Sequence, residues 1–315
     1  MSSRDKWCKP PLVPEAIEFN AMPELPEVQA IVDSLRERTA GATVVGAELA
    51  ALSALKTFDP PLAALMGATV QDVERRGKHI VISTADAAGE LLWLVIHLAR
   101  AGWVSWKVGI APKAKPGKGP LALRITFERD SAVGVLDVTG AGTKKSLAVY
   151  VTRDIESVPA IARLGRDPIA APLTEAELHA ILQAEGKRRL KTVLRDQTVL
   201  AGVGNAYSDE ILHAAKLSPF ASPATLTESQ FQALYIALNQ VLADAVERAH
   251  GVAWNELKDG KRSAMAVHAR TGLPCPVCGD SVREVSYADQ SFQYCAKCQT
   301  NGQVLADRRL SRLLK

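Results

Sequence analysis

The chain has 315 residues, 47% of them hydrophobic, 23% charged and 5% aromatic, with a formal net charge of +4. That length exceeds what one core supports and predicts two globular domains with a small appendage, and the composition excludes wholesale disorder. The longest apolar run, residues 91–98, is interrupted by His97 and falls far short of the roughly 20 residues that span a bilayer, so no membrane partner is expected.

Residues 1–21 carry Arg4, Lys6, Pro10, Pro11 and Pro14 but no apolar stretch. They read as a loose leader and not a secretory signal, which leaves a cytoplasmic location as the expectation. Pro23 and Pro26 then open a segment with apolar Leu25, Val28, Ile31, Val32 and Leu35. That spacing predicts a helix over residues 24–38, with prolines tolerated in the first turn and Glu24 and Glu27 suited to the positive end of its dipole.

From residue 43 to about residue 153, runs rich in valine, isoleucine and leucine (80–83, 91–96, 121–127 and 147–151) alternate with turns, predicting a β domain. Residues 111–120, with three prolines and three lysines, read as an exposed loop between two strands. A domain boundary is expected over residues 164–174, where Pro168 and Pro172 precede a capping-box pattern at Thr174 and Glu177. Beyond it, Leu178, Ile181 and Leu182, then Phe231, Leu234, Leu238, Val241, Leu242 and Ala245, mark amphipathic helices.

Lys187, Arg188, Arg189, Lys191 and Arg195 place five cations in nine residues, and Arg308, Arg309, Arg312 and Lys315 form a second cluster. Such clusters permit nucleic-acid binding, with a solvated face as the alternative. Gly202, Val203, Gly204, Asn205, Ala206 and Tyr207 lie between the first cluster and a helix expected to begin near Ser208. Amides at a helix start bind phosphate, and a DNA phosphate is the expected ligand. A dinucleotide fingerprint would need a third glycine where Tyr207 stands, followed by a βαβ unit, so no nucleotide cofactor is expected.

Cys275, Cys278, Cys295 and Cys298 form C-x2-C, sixteen residues, then C-x2-C, while the fifth cysteine, Cys8, lies in the leader. That layout argues against a disulfide framework. It suits one structural zinc ion held by four thiolates, a closed site with no open position for catalysis. Residues 282–285 and 291–294 read as the strands of a hairpin between the two cysteine pairs.

Met22, Pro23, Glu24, Leu25, Pro26, Glu27 and Val28 resemble the start of the formamidopyrimidine-DNA glycosylase and endonuclease VIII family. The resemblance continues in order through Arg75, Arg76, Gly77 and Lys78, then His97, Leu98 and Gly102, then residues 202–207 and the cysteine quartet, covering about residues 22–300. It implies an α+β multidomain fold: a helix and β-sandwich over 22–160, a helix-two-turn-helix domain over 165–265 and a zinc finger over 268–302, with 303–315 a basic extension. It further implies a monomeric DNA glycosylase and abasic-site lyase of base excision repair, acting on oxidised bases in double-stranded damaged DNA. In that reading Pro23 attacks C1′, forms a Schiff base and permits β-elimination, and Glu24 supplies the proton that opens the sugar. Lys78 serves proton transfer and phosphate contact, and Lys191 and Asn205 match phosphate-contacting positions.

Chemistry sets a condition on this. A free α-amino group with a pKa near 8 is a usable nucleophile, whereas a proline inside a chain is a tertiary amide. Pro23 therefore acts only as residue one, and residues 1–21 are expected to be absent from the active enzyme. Glu24 is expected to have its pKa raised by burial.

The chain departs from the family at three places. The arginine-phenylalanine wedge is replaced by Val138, Thr139, Gly140, Ala141, Gly142, Thr143, Lys144 and Lys145, the intercalating methionine by Arg100, and the zinc-finger arginine by Gln290. Arg100 is expected to serve the orphan base instead, and Gln290, uncharged, to leave cleavage mainly at β-elimination. A non-catalytic, zinc-containing binder of damaged or distorted DNA is the alternative function.

Overall fold

The computed structural model describes residues 22–117, 119–140, 147–287 and 290–306. The leader with Cys8, the wedge positions Ala141, Gly142, Thr143, Lys144 and Lys145, and the cluster Arg308, Arg309, Arg312 and Lys315 lie outside the described residues.

Helix α1 (Leu25–Thr39) begins where the proline spacing predicts. Glu24 is its N-cap, and the Glu24 and Glu27 side chains form a reciprocal capping box that satisfies amides the helix leaves unpaired. Leu25, Val28, Ile31, Val32 and Leu35 are buried, so the periodic apolar stripe is the inward face.

Eight strands follow: β1 (Thr43–Leu49), β2 (Thr69–Arg76), β3 (His79–Ala85), β4 (Leu91–His97), β5 (Gly102–Val108), β6 (Leu121–Arg129), β7 (Ala132–Gly140) and β8 (Ala148–Thr152). They form one antiparallel sheet in the order β5-β7-β6-β1-β2-β3-β4-β8, and every predicted β run lies in or overlaps a strand. All eight strands and α1 contribute to one core, from Val28 and Leu35 through Ile80, Leu94, Leu123 and Leu136 to Val149. This is the expected β-sandwich. The same core takes in Ala249, Trp254 and Leu257, so the later helical region interlocks with it.

The helical part comprises α2 (Glu175–Glu185), α3 (Leu190–Arg195), α4 (Asn205–Ala214), α5 (Glu228–Ala249) and the shorter α6 (Leu257–Ala264). Thr174 caps α2 and shares a capping box with Glu177, as the sequence pattern predicts. Leu178, Leu182, Phe231, Leu234, Leu238 and Leu242 are buried in a second core. Helix α4 begins at Asn205, three residues earlier than expected, because a carboxylate from the other domain caps its first turn. Hairpin strands β9 (Val282–Tyr287) and β10 (Gln290–Cys295) run antiparallel in continuous register, and the one-turn α7 (Ala296–Gln299) closes the cysteine module.

The two halves are bolted together near the start of α1. Leu25 N donates to Gly202 O at 3.0 Å, and the buried Arg75 guanidinium makes a bidentate pair with Asp167 at 2.6 and 2.9 Å. Among the described residues no helix is long and apolar enough to cross a membrane.

Candidate active site and four-cysteine centre

The start of α1, the β2–β3 turn, the start of α4 and one side chain of α6 converge on a single buried cluster. Glu24 is 2% exposed. Its carboxylate accepts the Ala206 amide at 2.9 Å and the Tyr207 amide at 3.3 Å, the first N–H groups of α4, where the helix dipole is positive. Gly204 makes this possible. A Cβ there would lie 2.6 Å from both Glu24 carboxylate oxygens, so any larger residue would push the carboxylate off the helix start.

Lys261 of α6 is 6% exposed. Its ammonium donates to Glu27 at 3.0 Å and to the Met22 carbonyl at 3.3 Å, and lies 3.8 Å from Glu24. Tyr207 donates its hydroxyl to Glu27 at 2.6 Å, and its ring lies under the Lys261 ammonium at 4.7 Å. Burial alone pushes Glu24 up, but Lys261, Lys78 and the Ala206 amide outweigh it and hold its pKa at about 2. The expected upward shift is therefore overturned: the site is buried but strongly cationic. Lys78, at the β2–β3 turn and 7% exposed, is lowered by burial to about 8, with Glu24 opposing the drop and Lys261 and Arg195 adding to it. Pro23, next to Glu24 in the chain, is buried as well.

The proposed DNA-contacting residues fare differently. Lys191 is 4% exposed, and its ammonium is consumed by Asn205 O at 2.6 Å, Ser208 Oγ at 2.9 Å and Asp209 Oδ1 at 2.6 Å. It is an internal tie between α3 and α4, not a surface group, which corrects its reading as a phosphate contact. Asn205 donates one of its two Nδ2 N–H groups to the Ser291 carbonyl of β10 at 2.9 Å, which ties the start of α4 to the hairpin. Within the 202–207 run and helix start expected to meet phosphate, the Ala206 and Tyr207 amides are taken by Glu24.

The basic run is also partly engaged at the surface: the exposed Arg188 pairs with Glu185 and, at 2.7 Å, with Asp196, and Arg189 stacks over Phe220. Arg100 is exposed in the β4–β5 turn. Gln290 opens β10 opposite Tyr287, and its side chain lies outside the described atoms.

The four sulfurs of Cys275, Cys278, Cys295 and Cys298 lie within 4.8 Å of one another. Tetrahedral zinc with bonds of about 2.3 Å requires sulfurs about 3.8 Å apart, and pairs at 3.3 and 3.9 Å bracket that figure. The donor set fits one metal ion. Helix α4 reaches this centre from its other end: His213 Nε2 lies 3.3 Å from Cys275 Sγ, and Glu210 accepts the amides of Ala266, Val267 and His268 at 2.7 to 3.0 Å.

Sequence reasoning missed Lys261 and the pairing role of Glu27. Lys261 sits in the polar run Lys258, Asp259, Gly260, Lys261, Arg262, which reads as a solvated helix. Only the packing of α6 against α1 reveals a buried cation.

Fold and site together define a helix-two-turn-helix protein with a β-sandwich and a carboxyl-terminal four-cysteine module. Residues 22–143 match the model of the formamidopyrimidine-DNA glycosylase N-terminal domain, and residues 164–255 that of the family's H2TH domain. A formamidopyrimidine-DNA glycosylase of Thermus thermophilus is 31% identical over 292 residues, which covers 89% of this chain and 100% of that protein. A formamidopyrimidine-DNA glycosylase-like protein of Mycobacterium tuberculosis is 58% identical over 148 residues, 47% of this chain and 93% of its own length. The crystal structure of the Lactococcus lactis enzyme with DNA containing an abasic site has the same fold, with a TM-score of 0.73 at 24% identity, covering 88% and 99% of the two chains. The chain belongs to the formamidopyrimidine-DNA glycosylase family.

Proposed function

We propose that this protein is a bifunctional DNA glycosylase and abasic-site lyase of base excision repair, with Pro23 as nucleophile, Glu24 and Lys78 as proton carriers and zinc in the four-cysteine centre. The observation that carries the reading is the Glu24 carboxylate, buried beside Pro23 and held as an anion by the α4 amides and Lys261. A buried, oriented carboxylate next to a nucleophile is the arrangement that proton transfer in a cleft requires.

In the reaction, the Pro23 nitrogen lone pair forms a bond to C1′ while the glycosidic bond breaks and its electron pair leaves with the base, which takes up a proton. A carboxyl with a pKa of about 2 starts ionised, so Glu24 first accepts the proton released by the Pro23 nitrogen. It then delivers that proton to the ring oxygen as the C1′–O4′ bond opens to the iminium. Lys78, at about 8, is partly neutral near physiological pH and can take the C2′ proton as the 3′ phosphate departs. With Gln290 where the family carries an arginine, that β-elimination is the terminal step, and a predominantly phosphate-ended product would contradict this part.

The test is borohydride trapping on abasic and 8-oxoguanine duplexes, with the full-length protein beside one that begins at Pro23. A covalent adduct from the shorter form alone is expected. No adduct from either would favour the non-catalytic binder.

A further inference from the structure

We propose that Lys261 is a positioning residue that holds the Pro23 nitrogen in its neutral, nucleophilic form by fixing a buried cation beside it. This rests on the reading of Pro23 as the free amino terminus. Lys261 Nζ lies 3.3 Å from the Met22 carbonyl oxygen. That oxygen and the Pro23 nitrogen share one carbon and sit about 2.3 Å apart, so the ammonium is within about 5.6 Å of the nitrogen. Once Met22 is gone, the Lys261 N–H that served its carbonyl is released beside the amine, whose lone pair can accept it alongside the Glu24 carboxylate at 3.8 Å. A neutral amine can accept that hydrogen bond, whereas a protonated one cannot. Both the hydrogen bond and the repulsion between like charges therefore disfavour protonation.

The neighbours fix the sign. Glu24 and Glu27 on α1 favour a charged amine, Lys261 on α6 and Lys78 at the β2–β3 turn oppose it, and Arg195 and His268 add cationic character further out. Tyr207 on α4 is kept neutral by burial and by Glu27. Lys261 is the cation bonded to both the chain start and Glu27. Its removal leaves two carboxylates facing the amine with Lys78 alone in close opposition. A charge at this range moves a neighbour by about one to three pH units.

The experiment measures the single-turnover rate of adduct formation on an abasic duplex under cyanoborohydride, over pH of about 5 to 9, with chains beginning at Pro23. These contain every described element from α1 onward. In Lys261→Met the acid limb of the profile is expected to move up by about one unit or more, an approximately tenfold loss below the limb that is recovered at high pH. Lys261→Arg is expected to restore the original limb, and Glu27→Gln, which removes an anion, to move it down.

A folded Lys261→Met with an unmoved limb, or with a loss equal at every pH, overturns the proposal. If Lys261→Met does not fold, Glu27→Gln decides: a downward limb supports the proposal and an unmoved one sinks it. No adduct from the unsubstituted chain at any pH overturns the nucleophile assignment itself, and with it this inference.

Discussion

The carboxylate of Glu24, at the start of the first helix, accepts the backbone N–H of Ala206, 182 residues later, at 2.9 Å. One hydrogen bond thus couples the neighbour of Pro23 to the helix-two-turn-helix domain. The same carboxylate fixes the first turn of α4, whose far end reaches the cysteine centre through His213.

Glu24 should leave a signature in acid unfolding. Its folded pKa of about 2 is depressed below 4.5, so its contribution to stability is fully present above about pH 4.5 and is lost as the pH falls toward 2. A shift of that size corresponds to a few kcal/mol, on the order of 3. Denaturant unfolding of Glu24→Gln should show a shallower loss of stability between about pH 5 and 2 than the parent, and base excision slowed by about 10²-fold or more. An unchanged acid slope would count against the buried anion.

Gly204→Ala should separate packing from charge. The added methyl would sit 2.6 Å from both Glu24 oxygens, and overpacking of this kind costs about 1–3 kcal/mol. Thermal unfolding should fall accordingly, and trapping should drop with it, because Glu24 leaves its amides. A variant with parental melting temperature and activity would show that the helix start can yield.

Lys191→Met should act on stability and not on phosphate contact. Removing one partner of a buried ion pair costs up to about 3–5 kcal/mol; here Asp209 of α4 keeps its contact with His268 but loses its tie to α3. The salt dependence of DNA affinity should keep its slope, whereas loss of a true phosphate contact would reduce that slope by about 1. A measured slope reduction would restore Lys191 to the DNA surface.

Arg100 is exposed and, among the described residues, has no hydrogen-bond partner, so its replacement should not disturb the fold. Arg100→Ala should slow excision of a lesion in intact duplex by about tenfold, within the few kcal/mol that base extrusion costs. Its rate on a preformed abasic site should change little. Equal duplex rates for the two proteins would remove Arg100 from orphan-base recognition.

Chelation should release one metal ion per chain, read by elemental analysis, and lower the melting temperature, because structural thiolate sites contribute folding energy. The hairpin should loosen first, with faster hydrogen exchange in β9 and β10 than in the β-sandwich strands. Uniform exchange across the whole chain would indicate one indivisible unit.

Much of this protein was legible in its sequence because the relevant signals are local. The period of Leu25, Val28, Ile31, Val32 and Leu35 fixes the inward face of α1, alternating valine and isoleucine runs mark the sheet, and paired cysteines two residues apart prepare a metal centre. The order of those motifs carries the family. What only the tertiary structure decided are charges brought together across long separations. Lys191 and Lys261 sit in polar, basic stretches that look solvated, yet both are buried because carboxylates from other helices, Asp209, Glu24 and Glu27, neutralise them there. The same convergence turned Glu24 from an expected raised acid into a fixed anion. Burial raises an isolated carboxyl, but two lysines and a helix start packed around it win, and no local pattern in the chain records that they will meet.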